Sequence, residues 1–379
     1  MKKVILMPDS FKGTMSSSEI CSIMKSEILK HFPNCNVESI PVADGGEGTV
    51  ECFVEAMNGK RVTLSVKGPF MEDIESFYAT VDGGKTAIIE MAAAASLPMV
   101  LGRENPRLTT TFGVGELIRH AVESGCKKIV VGLGGSCTND MAAGAAAGAG
   151  ALFYDENGES FVPTGATLSN IKKIDITPLK KLLEGVEIVA MCDIDNPLYG
   201  PTGAAYVFSP QKGADKETVK LLDYNLRAGA EIVKSELGAD VAELPGAGAA
   251  GGMGAGMVAF FGAELKAGID TVLDTVGFET IAADADLVFT GEGKIDSQSL
   301  RGKVVIGIAQ RAKKIGLPVI AIVGDIGDNM DPAYDMGVSA IYSINRVAVE
   351  FPKAKLRSKS DLALTTDTVL RTLKLGAKI

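Results

Sequence analysis

Short apolar runs alternate with amphipathic stretches along much of the chain, and the two periods mark strands and helices. Val4–Met7, Val37–Pro41, Ile129–Val131, Glu187–Cys192, Asp286–Thr290, Val319–Val323 and Ala340–Ser343 read as buried strands. Helical periodicity covers Val114–Ser124, Lys216–Leu237, Val304–Ile315 and Asp361–Leu375. A further helix starts at Ser16, where Glu19 three residues on completes a capping box, and another begins near Gly48. Between these, Arg61–Lys67, Ile74–Val81 and Thr86–Met91 follow one another across short turns such as Asp82-Gly83-Gly84, which predicts an antiparallel meander. That change of grammar places a boundary near Gly59, and the βα pattern of the N-terminus returns late in the chain. The expectation is an α/β protein of two unlike α/β domains. One is discontinuous, residues 1–59 plus 276–379, and the other is a mixed-sheet insertion of residues 60–275.

Length supports that division, since 379 residues exceed what one core usually accommodates. A net charge of -9 and the lack of any Lys/Arg block exclude a nucleic-acid partner. The apolar run Val4–Met7 is far shorter than a signal-peptide core, and no apolar run has membrane-spanning length, so a cytoplasmic protein is expected. Six cysteines without a C-x-x-C pair fit reduced thiols. The two histidines, His31 and His120, stand far apart, which argues against a His-based zinc site or a Ser-His-Asp triad.

The chemistry sits in the loops. Ile129–Gly150 reads as a strand, a glycine turn and a helix from Met141 to Gly150 whose start carries capping residues, the grammar of a phosphate site. Gly134, Gly135, Ser136, Thr138, Asn139 and Asp140 are the candidate nucleotide-binding residues, and the Asp140 carboxylate could also hold a phosphate-linked metal ion. Strand ends also lead into PDSFKGT, with Ser10 and Lys12, and into VADGGEGTV, with Asp44 and Gly45. The strand ending at Cys192 exits to Asp193 and Asp195, followed by Lys212 between Gln211 and Gly213. Glu292 and Asp296, four residues apart beside glycines, can converge on one hard cation. Gly246–Gly251 spells G-x-G-x-x-G, but it follows Leu244-Pro245 rather than a strand, so a dinucleotide site is rejected in favour of a close-packed helix or loop. Acidic, basic and glycine-rich loops without a catalytic His or Cys pattern suggest phosphoryl transfer by positioning and charge neutralisation. No Walker A motif or protein-kinase set is present.

Taken in order, PDSFKGT, ADGGEGTV, GLGGSCTND, CDIDNPLYGPTGAAYVFSPQKGA, GAGAAGGMGAG and TGEGKIDSQSLRGK closely resemble the class I glycerate kinases of bacterial glyoxylate and sugar-acid metabolism. The resemblance covers essentially the whole chain. It implies ATP- and Mg²⁺-dependent phosphorylation of D-glycerate, favouring 2-phosphoglycerate as product, in a cleft between two domains. It also implies that one domain is flavodoxin/Rossmann-like and the other restriction-endonuclease-like. Cys137 stands where the family usually has Ala, and Met141 where Gly is common. Side-chain chemistry then assigns the roles. Ser10, Lys12, Asp44, Gly45 and Lys212 are expected at the substrate, with Lys12 meeting the glycerate carboxylate or the transferred phosphoryl group. Asp193 is expected to accept or orient the hydroxyl proton, with Asp195 and then Asp44 as rivals. Glu292 and Asp296 are expected at Mg²⁺. The alternatives are a kinase for another small hydroxy acid, such as tartronate or a longer aldonate, and a non-catalytic nucleotide-binding regulator. The expected partners are ATP and D-glycerate, without nucleic acid or membrane, and a homodimer is allowed for.

Overall fold

The computed structural model describes residues 1–43, 45–46 and 48–376. It is a mixed α/β protein with several sheets, and it divides into two compact units. The first comprises Met1–Asp44, Glu55–Met57 and Ala267–Ile379, the second Gly45–Val54 and Asn58–Lys266. The last chain crossing between the units lies at Lys266/Ala267, against an expected 275/276. Among the described residues no helix is long and apolar enough to cross a membrane.

In the first unit, every residue of the strands Lys3–Pro8, Leu287–Gly291 and Val319–Val323 is buried. Such unbroken burial suits a parallel sheet covered on both faces. The sheet order is Val338–Ser343, Val319–Val323, Leu287–Gly291, Lys3–Pro8, Asn36–Ser39, with all neighbours parallel. On one face Val4, Leu6, Phe289 and Ile320 share a core with Ile20, Met24 and Ile28 of the helix Ser17–His31 and with Leu362, Val369 and Leu370 of the helix Phe351–Gly376. The helix Val304–Lys314 packs against Leu287–Gly291 and Val319–Val323. The capping box at Ser16 forms as expected: Glu19 N–H donates to Ser16 Oγ (3.2 Å) and Ser16 N–H to Glu19 Oε2 (2.9 Å). Counted in chain order, the strands run 2-1-3-4-5 across the sheet. The order reverses between Lys3–Pro8 and Leu287–Gly291, and in doubly wound sheets a ligand binds at the carboxyl ends of the two strands flanking that point.

The second unit holds a six-stranded sheet in the order Glu264–Lys266, Glu187–Met191, Lys128–Gly132, Thr86–Glu90, Asp73–Val81, Lys60–Lys67. Its first four strands are mutually parallel, and the last two close the expected antiparallel meander. One core runs through this unit, from Tyr78 and Ile89 to Leu222, Met253 and Phe260. The glycine-rich segment rejected as a dinucleotide motif leads into a helix, Ala249–Phe261, kinked at Ala250, Gly251 and Gly252. A Cβ on Gly251 would overlap the Thr138 carbonyl oxygen, so glycine lets this helix back directly onto the candidate nucleotide loop. That packing corrects one expectation. Met141 (φ 54°) and Ala142 (φ 56°) are left-handed, and the following helix covers only Ala143–Gly148, with no side-chain cap. A helix of six residues reached through left-handed residues gives no support to the helix-dipole part of the phosphate argument.

Candidate active site

In the second unit, two loops meet at the end of the strand Lys128–Gly132. Gly134 N–H donates to the Gly45 carbonyl (3.1 Å), and Leu133 N–H points to the Met191 carbonyl (3.4 Å). A Cβ on Gly132 would overlap the Gly45 oxygen, which is why glycine is needed where these loops touch. Gly45 and Gly46 therefore pack backbone to backbone against Gly132 and Gly134, as these glycines allow. Asp44, expected at the substrate, lies outside the described residues.

The Gly134–Asp140 loop is held from beneath at nearly every residue. Leu97 N–H donates to Gly135 O (3.0 Å), Cys137 N–H to Ala95 O (2.9 Å), and Thr109 Oγ1 to Cys137 O (2.9 Å). Ser136 forms an isolated β-bridge with Ser96, and Met141 N–H reaches Gly251 O (3.2 Å). Lys212 Nζ donates to Ser136 Oγ (2.7 Å) and to Thr138 O (2.6 Å). Asp140 Oδ2 accepts from Thr111 N–H (2.7 Å) and Thr111 Oγ1 (2.8 Å), with Thr110 Oγ1 farther away (3.4 Å). Backbone fixed in this way costs nothing further to organise when a ligand arrives.

Burial separates the six candidate nucleotide residues into two groups. Gly135 is exposed, Gly134 half-buried, and Ser136 6% exposed at their side. Thr138, Asn139 and Asp140 are each 0% exposed and lie buried within the fold. Their Thr138 Oγ1, both Asn139 amide atoms and Asp140 Oδ1 have no hydrogen-bond partner in this structure. Burial raises the Asp140 carboxyl above the usual carboxylate range, opposed by its bonds from Thr111. Lys212, expected at the substrate, is 2% exposed and sits under the loop. Burial lowers its ammonium to about 8, while Cys137 and Asp140 act the other way, and the buried Cys137 thiol is pushed up to about 12. Asp193 and Asp195 are exposed one and three residues beyond Cys192, whose N–H is fixed to Lys266 O (2.8 Å).

The first unit gathers its candidates at the strand-order reversal. Asp9 N–H donates to Gly291 O (2.8 Å), tying the end of Lys3–Pro8 to the end of Leu287–Gly291. Ser10 N–H turns back to Asp9 Oδ1 (2.6 Å). A Phe11–Met15 bridge, with left-handed Gly13 (φ 78°) inside it, presents Lys12 at the surface. Across from it, Glu292 is 6% exposed, and its Oε1 has no hydrogen-bond partner. Burial is the largest cause that pushes the Glu292 carboxyl up to about 7, helped by the negative charges of Asp9 and Asp296 and opposed by Ser299 and Lys303. Asp296 Oδ1 accepts from Gln298 N–H (2.9 Å), while Asp296 N–H donates to Ser299 Oγ (3.1 Å).

Among the described residues, no three His, Cys, Asp or Glu side chains form a cage that could hold a metal ion. An all-oxygen pair with one unpaired buried carboxylate oxygen still fits Mg²⁺, which keeps waters and takes further oxygens from substrate phosphates. Asp9, Glu90 and the run Thr109–Thr111 were not expected at the site from the sequence. Glu90 is 3% exposed at a strand end, where its Oε1 accepts from Val50 N–H (2.7 Å). All three threonines are buried, and the signal for them was three consecutive hydroxyls directly before a helix.

Comparison with known proteins bears on what such a pair of sites does. Residues 4–374 match the model of the glycerate kinase family. The chain is 41% identical over 375 residues to a glycerate kinase of Bacillus subtilis (strain 168), covering 99% of this chain and 98% of that one. It is 41% identical over 377 residues to a glycerate 2-kinase of Escherichia coli (strain K12), covering 99% of each. A crystal structure described as that of a glycerate kinase 2 from Salmonella typhimurium LT2 superimposes with a TM-score of 0.89 at 40% identity, covering 100% of both chains.

Proposed function

Since the chain belongs to the glycerate kinase family and is therefore a kinase, we propose that it transfers the γ-phosphoryl group of ATP to D-glycerate, giving 2-phosphoglycerate and ADP. The observation that carries this reading is the position of the Lys12 and Glu292 loops. They follow the two strands that flank the strand-order reversal of a parallel sheet, where phosphate ligands are commonly held.

In the reaction, a hydroxyl oxygen of glycerate bonds to the γ-phosphorus while the bond from that phosphorus to the β–γ bridging oxygen breaks. Asp193, exposed next to a rigid strand end, takes the hydroxyl proton. Lys12 neutralises either the substrate carboxylate or the moving phosphoryl group, with Ser10 beside it. Exposed Gly135, with half-buried Gly134 and buried Ser136 beside it, faces the phosphate chain. Glu292 and Asp296 would hold Mg²⁺, which when bound neutralises charge on the phosphate oxygens. For Glu292 to serve as an anionic ligand it must lose its proton, and nearby cationic charge favours that loss.

Turnover with ATP, Mg²⁺ and D-glycerate, followed as ADP release, tests the assignment, and ³¹P NMR of the product separates 2- from 3-phosphoglycerate. ADP release with tartronate but not with D-glycerate would move the substrate to another small hydroxy acid. No release with either would sink the kinase reading for these substrates.

A further inference from the structure

The donors beneath the Gly134–Asp140 loop are mostly backbone and hydroxyl groups, and among the described residues the one cationic donor stands apart. Lys212 comes from a turn 76 residues beyond Ser136, and its 2% exposure means that water does little to solvate the ammonium. A buried cation lowers stability unless its partners compensate, and removing one of those partners costs more than the pair contributes. Two of its protons go to Ser136 Oγ and Thr138 O.

The direction of the first bond matters. An ammonium has no acceptor, so Ser136 Oγ must accept, and the serine hydroxyl keeps its own hydrogen to donate elsewhere. None of the described residues accepts that hydrogen. Ser136 lies beside exposed Gly135, and its backbone is fixed by the bridge to Ser96. A hydroxyl that accepts from a cation is polarised into a stronger donor.

We propose that Lys212 is a positioning residue that acts through Ser136. It aims and polarises the Ser136 hydroxyl as a donor to an anionic oxygen of the nucleotide's phosphate chain, without touching the ligand itself. The inference rests on the reading of this loop as the phosphate site. It moves Lys212 from the substrate pocket to the support of that loop.

The test measures ATP affinity by titration calorimetry on the full chain. Variants are Ser136→Ala, Lys212→Met, both together, Lys212→Arg and Gly135→Val. Ser136→Ala and Lys212→Met should each weaken ATP on the order of ten- to a hundredfold, the range of a charge-assisted hydrogen bond. The double variant should be no weaker than the worse single one, because both changes remove the same donor. Lys212→Arg should recover most of the affinity, and the KM for glycerate should stay near that of the parent.

A pH series adds a readout that a purely structural brace would not move. With the ammonium at about 8, ATP affinity of the parent should fall as pH rises through that value, and the fall should vanish in Lys212→Arg and Ser136→Ala. The titratable groups that face Lys212 are Cys137, still protonated in this range, and Asp140; Glu104 lies against the neighbouring Gly213. A fall that persists in Lys212→Arg does not come from the Lys212 ammonium and overturns the proposal, as would independent, multiplying losses in the double variant. Should Lys212→Met not fold, Ser136→Ala, Lys212→Arg and the pH series still decide. If Gly135→Val weakens ATP but Ser136→Ala does not, the relay fails alone. If neither weakens it, the phosphate reading of the loop fails.

Discussion

Glu292 carries a testable signature at the scale of the single residue. Its carboxyl titrates at about 7 in the fold against 4.5 when unperturbed, chiefly because it is buried. The folded chain therefore holds the proton more tightly than the unfolded one between those values. Stability is greatest below 4.5, declines as pH rises to 7, and is level above that. At ~1.4 kcal/mol per pH unit the loss is about 3 kcal/mol. Glu292→Gln, nearly isosteric, removes this titration. Denaturant unfolding in EDTA should show the variant gaining about that much on the parent between pH 4.5 and 7.5, and parallel curves would refute it. Asp193 answers to kinetics instead. Asp193→Asn should lower turnover by ~10²–10⁴-fold with ATP affinity kept. If it stays within about threefold of the parent while Asp195→Asn is inactive, the two roles exchange. Exposed Lys12, Asp193 and Gly135 were legible in the sequence because strand-end loops with glycine are normally on the surface. The burial of Thr138, Asn139 and Asp140 was not, since it depends on Lys212, 74 residues from Thr138, and on Thr111, 29 residues from Asp140. Polar residues in a glycine loop look exposed until such distant partners are known.

Elements whose signals are local matched their expectation closely. The strand Val319–Val323 and the helix Lys216–Leu237 have the expected ends, and Ser16 and Glu19 start their helix. The helix after the nucleotide loop differs because its first residues answer to another element. The kinked helix Ala249–Phe261 packs on Thr138 and Met141, and a Cβ on Gly256 would overlap the Met141 carbonyl oxygen. Such packing overrides the local preference for helix at Met141 and Ala142. Two glycines of that segment allow a controlled comparison. Gly251 combines φ +73° with the Thr138 overlap, whereas Gly262, which ends the helix at φ +63°, has open space around its Cβ position. Gly262→Ala should cost about 1 kcal/mol from backbone strain alone. Gly251→Ala adds a backbone overlap, so about 2–4 kcal/mol is expected, with weakened ATP binding because the loop must shift. Equal losses in denaturant unfolding would mean that the helix does not brace the loop.

For the molecule as a whole, the question is what an insertion of this size requires in order to fold. Every strand of the six-stranded sheet comes from Asn58–Lys266, and the sheet's two edges are the first and last strands of that segment, Lys60–Lys67 and Glu264–Lys266. The apolar core from Tyr78 to Phe260 lies within the same residues. The start of the meander was legible because the strand Lys60–Lys67 follows directly after the helix Thr49–Met57. The exit was not, because Ala267 alone separates the strand Glu264–Lys266 from the amphipathic helix Gly268–Val276, with no Pro-, Ser- or Gly-rich linker to mark it. A segment with its own closed pairing and core meets the conditions for independent folding. Residues 45–266 retain the Gly45–Gly134 bond, the Glu90–Val50 bond and the Lys212 clamp. Expressed alone, this segment should unfold in one cooperative thermal transition, with dispersed amide NMR signals. ATP, if the nucleotide loop belongs wholly to this unit, should raise its midpoint in proportion to occupancy. A non-cooperative melt with collapsed signals would show that the core depends on the other unit. A cooperative melt insensitive to ATP would instead show that phosphate binding draws on residues outside it.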